Sequence, residues 1–330
     1  MQYDFIAIGD ITTDAFIRLK DVRVHCDIND VQCELCVRFG DKVPYESVTI
    51  VKAVGNSPNA AVAAHRLGLR SAIATNLGDD QNGTDCMDAL REEGMSTEFV
   101  TVHQGIPTNY HYVLQYEAER TILIKHEVYP YALPAFGEAP RWIYLSSLGD
   151  TSLPFHHEIS AYLAAHPEVM LAFQPGTFQI AQGTQVLREI YAHTELFVCN
   201  KEEAQIILNN KTESLATLLT LMRELGPKQV VITDGPKGAY ASDGTAQSYI
   251  PMYPDPAPPV SRTGAGDATA STTAAYLARG LSLPEALMRG LINAMSVVQL
   301  VGAQKGLLSA AEIDAWLAKA PSDFRPHPLS

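Results

Sequence analysis

Residues 264–267 combine two features that suit chemistry on an anion. The run Gly264-Ala265-Gly266 precedes a helix-forming stretch, and a helix that begins on such small residues leaves backbone N–H groups unpaired and uncovered. These groups lie at the positive end of the helix dipole, which makes a phosphate-binding site. Asp267 would repel a phosphate there unless the acid takes part in a reaction beside it. The alternative is that Asp267 only caps the helix and that the glycines allow close packing.

Other polar side chains follow short apolar runs. Asp14 comes soon after the run at 3–9, and Asn200 and Glu203 follow the run LFVC. In an open α/β sheet, ligands bind outside the carboxyl ends of the strands, so these side chains are candidates for a ligand site. Asparagine and glutamate oxygens also suit Mg²⁺, which keeps most of its waters. Each has a structural alternative: Asp14 as an N-cap or turn residue, and Asn200 with Glu203 as part of a capping box.

The elements that must position these residues alternate along most of the chain. Six short runs are apolar almost throughout, as parallel strands covered on both faces are: 3–9, 71–78, 141–147, 169–175, 196–200 and 228–235. Helical patterns lie at 57–68, 81–94, 154–165, 181–192, 201–209, 214–226, 264–279, 283–301 and 309–319. The alternation predicts an α/β fold with a doubly wound, mostly parallel sheet.

Two segments depart from the alternation. Residues 15–52 contain no convincing helix, and residues 108–126 suggest two strands around a turn. We predict one domain over residues 1–330, in which these two segments form a small antiparallel β lid over the active site.

The bulk composition excludes several functions. The 330 residues carry a net charge of −13, and no stretch concentrates Lys or Arg, which argues against nucleic-acid binding. No apolar stretch approaches the roughly 18–20 residues that span a bilayer, and the N-terminus does not resemble a signal peptide. We therefore expect a cytoplasmic protein with no nucleic-acid or membrane partner. Five cysteines, an odd number, argue against a disulfide framework.

The motif at 264–267 resembles the C-terminal GAGD motif of the ribokinase-like (PfkB) family of carbohydrate and nucleoside kinases. Further segments are similar to motifs of that family, in the family's order and across essentially the whole chain: GDITTDAF (9–16), VGNSPNAAVAAHRLG (54–68), NKEE (200–203), ITDGPKGAY (232–240) and INAMSVVQLVGAQKG (292–306). The resemblance implies the ribokinase-like fold and an ATP- and Mg²⁺-dependent kinase that phosphorylates a hydroxyl of a sugar.

The resemblance also implies roles for residues at matching positions. Asp267 would accept the proton of the attacking hydroxyl while the amides of Gly264, Ala265 and Gly266 stabilise charge on the transferring phosphoryl group. The other implied residues are Asp14, Gly55 and Asn59 for the substrate, Thr233, Gly235, Gly238 and Asn293 for ATP, and Asn200 and Glu203 for Mg²⁺ through water. Asn59 can cap a helix as well.

One position departs from the family pattern. Two residues before Thr263 the family usually carries an Asp that is associated with a monovalent cation site, and this chain has Ser261. We therefore expect little dependence on K⁺. Arg262 either places a positive charge near the phosphate site or is a solvated loop residue.

Two other functions remain open. A nucleoside kinase is the first, because the lid tyrosines Tyr110, Tyr112 and Tyr116 could stack a base. A non-catalytic sugar-binding or regulatory protein is the second, motivated by Ser261.

The lid segments pose two further questions. Cys26, Cys33 and Cys36 lie within eleven residues, so they either hold a structural Zn²⁺ or stay reduced without a metal. Arg120, Lys125 and the three lid tyrosines either line the substrate pocket on alternate positions or pack the lid and a dimer partner. In the resembling family such lid sheets often pair between subunits, which implies a possible homodimer.

Overall fold

The computed structural model describes residues 1–26, 33–117 and 119–329. Its strands are β1 (Phe5–Ile8), β2 (Thr12–Leu19), β3 (Arg23–Cys26), β4 (Cys33–Cys36), β5 (Tyr45–Val54), β6 (Ser71–Gly78), β7 (Val100–His103), β8 (Tyr110–Tyr116), β9 (Glu119–Leu123), β10 (Trp142–Leu145), β11 (Met170–Phe173), β12 (Thr194–Asn200), β13 (Gln229–Thr233), β14 (Ala239–Ser242), β15 (Gln247–Ile250) and β16 (His327–Pro328).

Its helices are α1 (Asn56–Arg66), α2 (Gln81–Glu92), α3 (Leu153–Ala165), α4 (Thr177–Gln182), α5 (Arg188–His193), α6 (Lys201–Ile207), α7 (Leu215–Glu224), α8 (Ala265–Ala278), α9 (Leu283–Val297) and α10 (Ala310–Leu317). A 3₁₀ turn covers Gly235–Lys237. No helix in the described ranges is both long and apolar enough to cross a membrane.

The main sheet follows the order β16-β15-β14-β13-β12-β11-β10-β1-β6-β7. Neighbours from β13 to β7 pair in parallel, and β14 to β16 continue the sheet as antiparallel strands. Alternate residues of β1 enter two separate cores: Phe5 packs with α1, α8 and α9, and Ile6 packs with α3, α5 and α7. Apolar residues must therefore occupy successive positions of the strand. The predicted doubly wound sheet is confirmed.

Helix α8 is built from small residues because it packs closely on α9. Its side chains from Ala268 to Ala275 are all buried. Gly290 of α9 lies so close to α8 that a Cβ there would come within 2.7 Å of the Thr269 carbonyl oxygen. The helix that carries Asp267 is therefore held firmly against the rest of the fold.

One predicted helix is wrong. The pattern at 181–192 indicates a single helix, whereas the structure has two short helices, α4 and α5. Gly183 separates them, with a backbone φ of +86° in the left-handed region that ends helices. Strand β7 was not predicted.

The second sheet, which we call the lid sheet, has the order β5-β2-β8-β9. Its β2–β5 and β8–β9 pairs are antiparallel, as expected, but β2 and β8 pair in parallel. Both strands leave the same end of the main sheet, β2 just after β1 and β8 soon after β7, so they run in the same direction. The division of the chain into one domain with a lid at 15–52 and 108–126 stays a prediction.

The cysteine cluster requires a correction. Cys26 and Cys33, which face each other across β3 and β4, form a disulfide in the structure. The expectation that the lid cysteines stay reduced is therefore wrong. The zinc hypothesis loses two of its three ligands, because zinc binds thiolates. Cys36 has an exposed free thiol. Across the described part of the chain, no group of three or more His, Cys, Asp or Glu side chains is placed to hold a metal ion.

Candidate active site

A cavity of about 350 Å³ lies outside the carboxyl ends of the parallel strands. It is centred where the strand order changes direction, between β1 and β10, which is where open α/β sheets bind ligands. Residues at or just after the ends of five strands line it: Asp10, Ser147, Gln174, Asn200 and Thr233. The strand-end residues that the sequence suggests, Asp14, Asn200 and Glu203, line this same cavity.

The lid sheet covers this cavity with one of its two faces. Asp14 on β2 and His111 on β8 are register partners, and both line the cavity. Their side chains approach to 3.5 Å between Asp14 Oδ1 and His111 Nδ1. Arg120 on β9 lines the cavity as well. These positions alternate with side chains that face away from the cavity.

The tyrosine row lies on the face of the lid sheet that turns away from the cavity. Tyr110, Tyr112 and Tyr116 alternate with the cavity-lining His111, and Tyr112 is 48% exposed. Lys125 is exposed and forms an ion pair with Glu127. The hypothesis that the tyrosines stack a base in the pocket is therefore wrong.

Asp267 lines the cavity from the first turn of α8 and accepts hydrogen bonds from three side-chain amides. Asn56 Nδ2 donates to Oδ1 at 2.7 Å, and Gln174 Nε2 donates to the same oxygen at 3.1 Å. Asn59 Nδ2 donates to Oδ2 at 2.8 Å. Two of these donors come from α1 and one from the end of β11, so two distant segments fix the orientation of one carboxylate.

The environment of Asp267 suits a base. Desolvation by burial raises the pKa of its carboxyl above the ordinary value, while the three amide donors and the charge of Arg120 act in the opposite direction. Raising the pKa of a carboxylate strengthens it as a proton acceptor. The neutral amides stabilise the ionised form without being able to take its role.

The first turn of α8 contains the three small residues that were expected to form an anion site. Gly264 caps the helix with φ +86°, and a Cβ there would lie 2.5 Å from the Ala303 Cβ. By contrast, no atom lies within 4 Å of where a Gly266 Cβ would be, and Gly266 is exposed to the cavity. Ala265, between them, is half-buried. The N–H groups of this first turn have no acceptor within the helix.

Asn200 and Glu203 form a complete capping box, so the structural alternative is confirmed. Asn200 Oδ1 accepts from the Glu203 N–H, and Glu203 Oε2 accepts from the Asn200 N–H, both at 2.8 Å. The two side chains nevertheless line the cavity. Burial raises the pKa of the Glu203 carboxyl, the Asn200 N–H lowers it, and the negative charge of Asp267 raises it further. A cation between these carboxylates would relieve their repulsion, so the donor set fits Mg²⁺.

Three of the four residues assigned to ATP lie at or just after the end of β13. Thr233 lines the cavity, and Gly235 and Gly238 form the turn that follows β13. Gly238 has φ +101°, and a Cβ there would lie 2.3 Å from the Ile250 carbonyl oxygen, so glycine is required.

Asn293 needs a correction. It is fully buried, donates to Thr272 Oγ1 at 2.8 Å and accepts from the Leu308 N–H at 2.9 Å. Its amide therefore joins α9 to α8 and to the following loop instead of contacting a nucleotide.

Asp14, Gly55 and Asn59, which the sequence predicts to bind the substrate, all line the cavity. Gly55 has φ +124°, and a Cβ there would lie 2.9 Å from the Asp10 carbonyl oxygen. Asn59 is almost fully buried and engages Asp267.

Sequence reasoning missed several polar residues of the cavity, among them Asp10, Gln174 and His126. Asp10 and Gln174 follow buried strands directly, so the strand-end argument used for Asp14 applies to them equally. His126 follows β9 in a segment without regular structure, and no sequence signal points to it.

Arg262 is a loop residue before α8, with a partly exposed side chain, as the second of its two alternatives has it. Its Nε lies 3.3 Å from Glu119 Oε1 at the start of β9, so this side chain is directed to the lid sheet. Ser261 is buried, and its Oγ accepts a hydrogen bond of 3.3 Å from the Thr263 N–H.

The sequence model described as "pfkB family carbohydrate kinase" matches residues 27–310. The chain is 26% identical to the ribokinase of Bacillus subtilis over 89% of this chain and 99% of that protein. It is 24% identical to the 5-dehydro-2-deoxygluconokinase of Halalkalibacterium halodurans, over 96% of this chain and 95% of that protein.

Solved structures agree in fold. The Arabidopsis thaliana ribokinase complexed with ribose and ATP superposes with a TM-score of 0.78 at 18% identity, covering 96% of this chain and 99% of that one. The Burkholderia thailandensis nucleoside kinase in complex with inosine gives a TM-score of 0.75 at 16% identity, covering 98% and 100%. At these identities the likeness establishes the fold alone.

Proposed function

The chain belongs to the pfkB family of carbohydrate kinases, and we propose that in this ATP-dependent kinase Asp267 deprotonates a hydroxyl of a sugar. One observation carries the proposal. The Asp267 carboxylate, held by three amides at the anion-binding start of α8, lines the same cavity as Asp14. A phosphate acceptor and a phosphate donor can therefore meet beside a single base.

The acceptor end of the cavity supports a polyhydroxylated substrate. Asp14 Oδ1 and His111 Nε2 are buried atoms without a hydrogen-bond partner in the described residues. Leaving such atoms unpaired is costly, and sugar hydroxyls can both donate and accept. Gly55, where a Cβ would lie 2.9 Å from the Asp10 carbonyl oxygen, lets the chain pass close to Asp10 at this end of the cavity.

The transfer step needs few protein groups. The acceptor oxygen attacks the γ-phosphorus of ATP, the bond from that phosphorus to the β–γ bridging oxygen breaks, and ADP leaves with the electron pair. The hydroxyl proton passes to a carboxylate oxygen of Asp267. The backbone N–H groups of Gly264, Ala265 and Gly266 stabilise the charge on the phosphoryl oxygens.

Glu203 and Asn200 are the residues that would hold Mg²⁺, in part through water. When bound, the ion neutralises charge on the phosphates of ATP. Thr233, with the turn at Gly235 and Gly238, would contact the nucleotide from the end of β13.

A homodimer through the lid sheet is the second part of the proposal. Ile50, Ala15, Tyr112 and Leu123 form one cross-strand row on the outer face of the lid sheet. Ile50, Tyr112 and Leu123 are about half exposed, which suits burial against a second copy of the chain. Ile50→Lys should convert a dimer into a monomer in sedimentation velocity, and a monomeric parent protein would contradict the proposal.

An acceptor panel tests the function. ADP release is measured with ATP, Mg²⁺ and, in turn, neutral sugars, sugar acids and nucleosides. We expect acceptor-dependent ADP release with one or more sugars and none with nucleosides, because the lid tyrosines lie on the outer face. Release with nucleosides alone would replace the sugar proposal by the nucleoside one, and no release with any acceptor would favour a binding protein.

A further inference from the structure

The hydrogen bonds on Asp267 depend on which way two side-chain amides are turned. Gln174 and Asn59 each present an NH₂ group to the carboxylate. An amide that is reversed would present its oxygen instead, which would repel an ionised carboxylate. Something must therefore hold each amide oxygen on the side away from Asp267.

Tyr144 does this for Gln174. Its hydroxyl donates to Gln174 Oε1 from a fully buried position at the end of β10, where the Tyr144 ring packs on Phe5. Burial holds the pKa of the Tyr144 hydroxyl well above its ordinary value. The hydroxyl therefore keeps its proton at any working pH and can donate to Gln174 Oε1, which stabilises the orientation that turns Gln174 Nε2 toward Asp267.

Gln304 does the same for Asn59. Its Nε2 donates to Asn59 Oδ1 at 3.0 Å and to the Ala53 carbonyl oxygen at 2.7 Å. Gln304 lies in the loop after α9, and its backbone carbonyl oxygen accepts a hydrogen bond from Arg66 Nη1 at 2.8 Å. The loop is thus anchored to α1, the helix that carries Asn59.

We propose that Tyr144 and Gln304 are positioning residues, which act on the reaction by holding the amides of Gln174 and Asn59 with their N–H groups toward Asp267. The inference rests on the proposed role of Asp267 as the base. Neither residue lines the cavity, so neither contacts the substrates. Each donates a hydrogen bond that stabilises one of the two orientations of an amide, and this preorganises the site.

The pH dependence of turnover reports on this arrangement. The charged and titratable groups that interact with Asp267 include Arg120, Glu203 and Tyr144. Asp267 must be ionised to accept a proton, and the Gln174 donor lowers its pKa. Removing the Tyr144 hydroxyl frees Gln174 to turn. The pKa of Asp267 then rises, and activity is lost first at the low-pH end of the profile.

The experiment measures kcat against pH for Tyr144→Phe with the acceptor found by ADP release. Tyr191→Phe is the matched control, because Tyr191 is equally buried in an aromatic cluster and its hydroxyl bonds to no described residue. We expect the acid limb of Tyr144→Phe to move up by about half to one pH unit. The control should keep the parent profile, and the KM for ATP should not change in either variant.

Two further variants make the outcomes distinct. Gln304→Met removes the donor to Asn59 and should move the acid limb in the same direction; it carries the test if Tyr144→Phe does not fold. If Asp267→Asn is inactive but the pH profiles of Tyr144→Phe and Gln304→Met both match that of the parent enzyme, the inference is overturned. Turnover by Asp267→Asn would instead overturn the proposed function itself.

Discussion

The Asp10 carboxylate and the His126 imidazole are joined by a hydrogen bond of 2.7 Å between Oδ2 and Nδ1, in the cavity that contains Asp267. Asp10 also accepts from the Tyr131 hydroxyl at 3.0 Å. A carboxylate only accepts, so the proton of the pair lies on Nδ1 of His126. The second ring nitrogen, Nε2, is then left to hydrogen-bond a substrate hydroxyl, which can both donate and accept.

His126→Ala should weaken binding of the acceptor. A single hydrogen bond to substrate is worth about 1 kcal/mol, so the KM for the sugar should rise by about five- to tenfold while the KM for ATP stays unchanged. His166→Ala is the control, since His166 lies in the exposed turn that ends α3, outside the cavity. An unchanged sugar KM would show that His126 does not contact the acceptor.

Two glycine substitutions at the start of α8 should separate stability from activity. Gly264→Ala places a Cβ at φ +86° and 2.5 Å from the Ala303 Cβ, so it should reduce the free energy of unfolding by about 1–3 kcal/mol. Gly266→Ala meets no atom within 4 Å and should leave stability unchanged. Its methyl group enters the phosphate side of the cavity, so kcat should fall. Urea unfolding measures the first effect and ADP release the second. A Gly266→Ala variant that is less stable but keeps its kcat would contradict the anion site.

Glu203→Gln should change the Mg²⁺ requirement. Glutamine can still complete the capping box with the Asn200 N–H, so the helix start is kept. Loss of the carboxylate charge should raise the Mg²⁺ concentration for half-maximal turnover by about tenfold. Glu202→Gln, an exposed neighbour in the same turn, is the control. Equal Mg²⁺ curves for the two variants would remove Glu203 from the metal site.

Potassium should have little effect on the rate. Ser261 stands where the resembling family carries the acid of a monovalent cation site, and here it is a buried hydroxyl bonded to the Thr263 N–H. Exchange of K⁺ for tetramethylammonium at constant ionic strength should therefore leave kcat within about twofold. A strong dependence on K⁺ would refute this prediction.

Local patterns predicted the main sheet well and the contacts of the site poorly. Strands buried on both faces are apolar at every position, so β1, β6 and β10 to β13 could be recognised from short windows of sequence. Gly183 shows the limit, because one residue in the left-handed region divides a helix whose apolar pattern continues.

The site also shows why tertiary contacts escape the sequence. Asp267 was found from its motif, but the Asn56 and Gln174 donors come from segments 211 and 93 residues away. The alternation of β8 predicted that one set of side chains faces inward, yet only the pairing with β2 decides that His111 and not Tyr112 does so. Asn293 lies in a matching motif but is used for helix packing.

Turnover of Asp267→Asn, measured together with its affinity for ATP, shows whether Asp267 is the base. Loss of a general base should lower kcat by about 10²- to 10⁴-fold. The Kd for ATP from calorimetry should stay within about twofold, and Asp255→Asn, at an exposed position in the connector before α8, should keep full activity. Turnover of Asp267→Asn within tenfold of the parent enzyme would show that another group accepts the proton and would contradict the account.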